Sequence, residues 1–581
     1  SDQSHLTLTG VTFSGNTAPA LGARGGGMVS VQSELSLSDV VFSDNQARRV
    51  GGGMINRSSN ATLTRVTFTG NQAGESGWTG DGAGMVNDDS EVILVDAVFS
   101  DNVTFLGGDG GGILNGSNLT VSNATFSGNS AESGGAIYHS STDDLNLNLT
   151  NVTFSGNAAT KSGGGLYSQA NATLTDVTFS GNHANRGGGM ISGGAGLSAT
   201  HTSLTNVAFV GNTATDRGGG LVHDNGSFST WITLTHVTFS SNSANLGGGM
   251  YTSGYGVPIL RSVTFTGNAA DEGGGGMYNY FQSRPRLTNI LFSGNTAGDY
   301  GGGIYNYDSS TVLMNVTMSG NTAANLGGAI YNELGGSNLT NAILWNNTAN
   351  SGNQIDNSDN ELTAIAYSNV QGCGGSNSWS TSCGKDFGGN IDADPLFARD
   401  PHPGTDSQWD GVDDDYGDLH LQTGSPAIDS GTNATFHFDC PATDMDGHPR
   451  PVNGICDMGA YEYDPSPALA INYDGGAPGS VFTVSGRNFP ANATASVSVN
   501  GTALDTVPTD GSGNFYFHLS TSNADEGAYW VTAAVNPSAT VRFTLSADKF
   551  TWTQEGTGPV IDVPPGIAYT ESIYLPFVMR E

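Results

Sequence analysis

The segment Leu174-Thr175-Asp176-Val177-Thr178-Phe179-Ser180-Gly181-Asn182, with Gly187-Gly188-Gly189-Met190 close behind, decides the fold. Val177 and Phe179 lie on one side of an extended chain and Thr178 on the other. Val, Thr and Phe favour a pleated backbone, and no run of period 3.6 interrupts them. Ser-Gly-Asn tolerates left-handed backbone angles, so the chain can turn sharply there. The glycine triplet turns it again and lets neighbouring backbones approach closely.

This unit recurs. Its aromatic position is held by Phe13, Phe42, Phe68, Phe99, Phe126, Phe154, Phe179, Phe209, Phe239, Phe265 and Phe292, then by Met318 and Leu344. Three residues after each aromatic stands Asn16, Asn45, Asn71, Asn102, Asn129, Asn157, Asn182, Asn212, Asn242, Asn268 or Asn295, and Asn321 follows Met318. About thirteen copies at spacings of roughly 25 to 31 residues fall in the solenoid range. Each copy reads as strand, corner, strand, corner, strand, one coil of a right-handed parallel β-helix in an all-β chain. Coils stacked about 4.8 Å apart place Phe over Phe and Asn over Asn, in a rod on the order of 60 Å long. The Phe column then forms the core, at about 1.5–3 kcal/mol per ring. The Asn column forms a hydrogen-bonded ladder.

The 581 residues include 86 Gly, 20 Pro, 53 acidic and 18 basic residues, for a net charge of −35. Collagen is excluded, because no strict triplet period exists. A chain this acidic repels phosphate backbones and anionic membranes, and nothing in it forms a basic stripe for nucleic acid. No apolar stretch of about 18 residues is present to span a bilayer as a helix. Ser1-Asp2-Gln3-Ser4-His5 lacks the basic and apolar regions of a signal peptide, so any such segment is expected to have been removed. Cys373 with Cys383 and Cys440 with Cys456 fit no zinc template and are expected as two local disulfides of an extracellular protein.

The pair Phe-x-x-Asn and Gly-Gly-Ala-Ile resembles the repeats of the chlamydial-type polymorphic outer membrane proteins, over about residues 6 to 350. That resemblance implies a β-helical surface adhesin, although the family's C-terminal membrane barrel has no counterpart here. Composition changes near Gly372. Asp394-Pro395-Leu396-Phe397, Leu419–Gly431, Asp446-Gly447-His448-Pro449-Arg450-Pro451 and Asp457–Tyr463 resemble the choice-of-anchor Q domain, which implies a cap on a secreted bacterial β-helix. Short alternating strands from about Pro467 to Ala533 are similar to immunoglobulin-like IPT/TIG modules. The expected organisation is a β-helix at 1–372, a cap at 373–465, an immunoglobulin-like sandwich at 466–546, and a linker with an apolar terminal strand at 547–581.

Candidate sites are few. Asp410, Asp413, Asp414, Asp415 and Asp418 are the densest acidic cluster, either a solvated loop or a structural calcium site, without an EF-hand pattern. Coil corners carry Asn, Ser, Thr and Gly rather than the clustered carboxylates of β-helical polysaccharide lyases and hydrolases. His183, His201 and His236 do not recur in register. No residue earns a catalytic role, and a non-enzymatic protein without a cofactor is expected. Repeated Asn-x-Thr sequons are also what the coil motif generates by itself. The repeat starts almost at once, leaving Leu6, Leu8, Val11 and Phe13 as an uncapped edge, while Ile573, Tyr574, Leu575, Phe577 and Val578 form an apolar strand with no evident place. Together they suggest a head-to-tail extracellular filament in which one subunit's C-terminal region caps the next subunit's first coil. A monomeric adhesin that binds surface glycans is the alternative, and a polysaccharide lyase or hydrolase the third.

Overall fold

A computed structural model describes residues 5–569, apart from 21, 76–78, 141–144, 194–199, 226–229, 359–362, 407, 410–412, 435–438, 548 and 555. The chain divides into two compact units, residues 1–395 with 426–462, and 396–425 with 463–581.

The first unit is a parallel β-helix. A typical coil has strands Met190–Gly193, His201–Val210 and Thr213–Arg217. The first two strand positions merge into one 32-stranded parallel sheet, and the third position builds a 12-stranded one. The long second strand bends at Asn206, at φ 54°, and the equivalent Asp176 and Asn151 share that angle. Asn and Asp adopt this conformation at little cost, which explains their place in the repeat. The third strand ends at Gly218, at φ 63°. Gly188 allows the closest approach: a side chain there would meet Thr213 O at 2.4 Å and Gly219 O at 2.5 Å.

Register turns the repeat into columns. Phe179 stands opposite Phe209, and Phe209 opposite Phe239. Ring centroids along the column lie 4.6 to 5.1 Å apart with near-parallel planes, from Phe13 to Phe292. Beside it, Asn182 Nδ2 donates to Asn212 Oδ1 at 2.9 Å and to the Phe154 carbonyl at 3.0 Å. The Asn182 backbone N–H donates to the same Asn212 Oδ1 at 3.0 Å. Each amide thus uses both hydrogens and both oxygen lone pairs, which makes burial affordable. The ladder runs past Asn321 to Asn347, where Gln354 accepts the last amide at 2.7 Å.

A second internal column, not read from the sequence, follows each glycine triplet. Asn56, Asn87 and Asn115 link side chain to side chain at 2.8 to 3.1 Å. Asn279, Asn306, Asn332 and Asn357 do the same at 2.8 Å. Between these runs the column holds His139, Ser168, Ser192, His223 and Thr252 in register.

The coil after Val370 is closed by the Cys373–Cys383 disulfide, with Trp379 and Cys383 packed against the core. Residues 426–462, stapled by Cys440–Cys456, lie along the second strands of the last coils. Asn289 donates to Thr443 O at 2.7 Å, Asn315 to Asp457 O at 3.1 Å and Asn341 to Thr432 O at 2.9 Å. The outward Thr position, already varied to Val41, Val98 and Ala208 on earlier coils, holds Leu291, Thr317 and Ile343 in this stretch. Arg450 and Glu462 pair at 2.9 Å in full burial beneath the segment.

The second unit contains a four-stranded sheet and a five-stranded sheet, built mainly from antiparallel pairs. Phe482 of the first meets Phe543 of the second at 4.6 Å, in a core with Val484, Phe517, Tyr529 and Val531. Among the described residues, no helix is long and apolar enough to cross a membrane.

Candidate functional site

The residues singled out by sequence occupy different environments. The Phe and Asn columns are interior from Phe42 and Asn45 onward, so they build the rod and cannot meet a ligand. Leu6, Leu8, Val11 and Phe13 stand half-buried against the core at the first described coil. Ile573, Tyr574, Leu575, Phe577 and Val578 lie outside the described residues, as does Asp410. His183, His201 and His236 are exposed.

The other clustered aspartates have separate partners. Asp413 accepts from the Thr405 backbone at 2.8 Å and its hydroxyl at 3.0 Å. Asp415 takes the Arg399 fork at 2.7 and 2.9 Å. Asp418 is buried against His420. Burial opposes the Asp418 charge, but His420, with Arg487 and Arg399 beyond it, outweighs burial and holds the carboxyl below the usual range. Among the described residues, no group of three or more His, Cys, Asp and Glu side chains is placed to hold a metal ion.

The arrangement best suited to recognition lies elsewhere, on two adjacent coil corners. Strands Met250–Gly254 and Met277–Tyr280 pair in parallel with Ser253 opposite Tyr280. The chain segments that leave them run side by side. Arg284 N donates to Gly256 O at 3.0 Å, and Arg286 N to Pro258 O at 2.8 Å. This brings Tyr255 edge-on to Phe281 at 5.8 Å, with Tyr280 6.1 Å from Phe281 and stacked on Tyr307 at 5.6 Å. Tyr255 is 67% exposed, Phe281 45% and Tyr280 38%, so the ledge is open to solvent.

Its foundation is a second apolar cluster in which Tyr251, Tyr278, Tyr305 and Tyr331 are buried side by side. Burial pushes the Tyr251 hydroxyl up to about 12, against the opposing pull of Arg217. Tyr305 donates to Glu333 Oε2 at 2.5 Å. The ledge therefore rests on a rigid wall.

Phe281 sits at φ 47° and Gln282 at φ 62°. The corner position of Phe281 is taken by Gln32, Ser58, Asp89, Asp308 and Leu334 in other coils, all at positive φ. A bulky aromatic in this region is uncommon, and strain of about 1–3 kcal/mol persists only where the surroundings enforce it. Here Gln282 N donates to Asp308 O at 2.6 Å, and Gln282 Nε2 to Asp308 Oδ1 at 2.8 Å.

Arg284 and Arg286 are exposed on the segment that follows Phe281, whereas Arg261 is exposed farther along the neighbouring strand, opposite Thr288. Two carboxylates border the ledge, Asp308 bonded to Gln282 at 2.8 Å and Asp224 bonded to Ser253 at 2.9 Å. Among the described residues, no acidic group pairs with Arg261 or Arg284. The sequence held a signal for this site: Tyr280-Phe281 followed by Arg284-Pro285-Arg286 puts an aromatic where Gln32, Ser58, Asp89 and Asp308 stand in other coils.

A family model described as the right handed beta helix region matches residues 1–152 and 54–242. The repeat of the Chlamydia polymorphic membrane protein matches residues 289–307 and 315–333. No curated protein matches the chain. The solenoid is thus a right-handed parallel β-helix of about 13 coils with repeats like those of the polymorphic membrane proteins. The second match covers the coil that follows the aromatic ledge.

Proposed function

We propose that this chain is an extracellular, non-enzymatic β-helix of the adhesin type, displayed at a cell surface and binding its partner through the Tyr255–Tyr280–Phe281 ledge. The observation that carries this reading is the ledge itself: three exposed aromatics in ring contact, one held at a positive φ, on a buried tyrosine wall. Contiguous exposed aromatic surface on a rigid scaffold is the usual mark of an interaction site. Likeness to polymorphic membrane protein repeats supports surface display, and two disulfides fit an oxidising compartment. In this reading residues 373–465 act as a choice-of-anchor-Q-like cap, 466–546 as an immunoglobulin-like connector and 547–581 as a linker with a terminal strand.

The test is binding of the full chain to cells and immobilised glycans, compared with the Tyr255→Ala/Phe281→Ala variant. Loss of binding at least tenfold, with an unchanged unfolding midpoint, is expected; equal binding by the variant overturns the reading. The second reading is the head-to-tail filament. Electron microscopy at moderate ionic strength separates the two: dispersed rods fit the adhesin, and filaments that vanish on truncation after Ser546 fit the alternative. Shortening of a bound polysaccharide in the same binding assay would instead identify a lyase or hydrolase.

A further inference from the structure

We infer that the ledge recognises a short oligosaccharide bearing a single carboxylated sugar. The inference rests on the reading of the ledge as a binding site and adds the class of ligand. The aromatic end and the arginine end of the site are one surface, because backbone hydrogen bonds tie Gly256 to Arg284 and Pro258 to Arg286. Tyr255, Tyr280 and Phe281 offer rings for the apolar faces of pyranoses. Arg284 offers a guanidinium fork without a carboxylate partner among the described residues, and a planar fork matches a carboxylate with two parallel hydrogen bonds.

Size and charge narrow the ligand further. Two to three coils, about 10–15 Å, accommodate a few sugar rings rather than a long polymer. Arg284 is a single cationic fork on a ledge bordered by the Asp224 and Asp308 carboxylates, and the whole chain carries a net charge of −35. That field repels a densely charged polyanion, while the one fork holds one carboxylate. A glycan with one acidic sugar satisfies both conditions. A neutral glycan leaves the fork unused, and a sulfated polymer meets the repulsion of the chain.

Calorimetric titration of the full chain with sialyllactose, lactose and heparin tests this. Sialyllactose is expected to bind at least tenfold more tightly than lactose, with an affinity that weakens as salt rises. Arg284→Ala should reduce sialyllactose to the level of lactose, and Arg284→Lys should keep part of the difference. Tyr255→Ala/Phe281→Ala should abolish both. Equal affinity for sialyllactose and lactose, or tighter binding of heparin, overturns the charged-sugar inference and leaves the ledge as a binding site. Cell binding that needs the ledge while no sugar binds also overturns the inference alone. If neither sugars nor cells bind, the inference and the proposed function fall together.

Discussion

Two hydrogen-bonded columns run through the same coils, and they obey different rules. The column at the Ser-Gly-Asn corner is asparagine in every coil from Asn16 to Asn347. The column behind the glycine triplets alternates among asparagine, histidine, serine and threonine. The difference lies in the backbone. At the corner, Asn Oδ1 accepts the neighbouring coil's Asn N–H, and the amide donates to a Phe carbonyl, so the side chain completes main-chain bonding at a turn. Behind the glycines the strands already pair in register, and the side chains there bond to column neighbours, to nearby hydroxyls such as Ser337 and Thr202, or to a carbonyl of their own coil such as Ser59 O. A residue that joins the main chains of neighbouring coils cannot vary, whereas one with such mixed local partners can be replaced by another small polar group.

Breaking the first column should therefore cost most. Asn212→Ala removes the acceptor of Asn182 N and Nδ2 and the donor to Phe179 O. At about 1–3 kcal/mol per orphaned buried group, a loss above about 3 kcal/mol is expected, read as a lowered urea midpoint. A midpoint unchanged by this substitution would erase the distinction between the columns.

Acid should act on the second column alone. His139 and His223 are buried there, and burial pushes each imidazole down to about 4. His139 Nε2 and His223 Nδ1 are buried without a hydrogen-bond partner. The unfolded chain takes up these protons below about pH 6.5, whereas the fold resists until about pH 4. At these two sites the folded state binds fewer protons, so their contribution is complete above pH 6.5 and declines as pH falls through 6.5 towards 4. Asp109, whose carboxyl burial pushes up to about 6, works against the decline, and His518 of the second unit, pushed down by burial, adds to it. Thermal unfolding across this range should show a net decline, and His139→Asn/His223→Asn should lessen it.

A gentler change sharpens the contrast. Asn306→Thr copies a residue the second column already accepts at Thr252, and it should cost about 1 kcal/mol by the same urea assay. Asn242→Thr, its counterpart in the first column, should cost at least twice as much.

The first column was legible from sequence because each Asn stands at a fixed distance from an aromatic. The second was hidden by its own tolerance: Asn115, His139, Ser168 and Ser192 share a position but no single chemistry. The aromatic ledge was hidden for another reason. Tyr255 and Phe281 are 26 residues apart, and only the register of two coils puts their rings together. Leu291 and Ile343 replace the outward Thr where residues 426–462 settle, but Val41, Val98 and Ala208 replace it on other coils too, so such a residue does not name what covers it.

The direction of the hydrogen bonds between coils has a mechanical consequence. They run along the axis of the rod, so tension between its ends passes in series through every coil interface, and an end coil, held by a neighbour on one side only, yields first. Axial pulling should peel the solenoid stepwise, each step releasing a coil of roughly 30 residues, or about 100 Å of chain. A tether built this way lengthens under force at nearly constant tension, and it sheds load at the end being pulled before the coils in the middle give way.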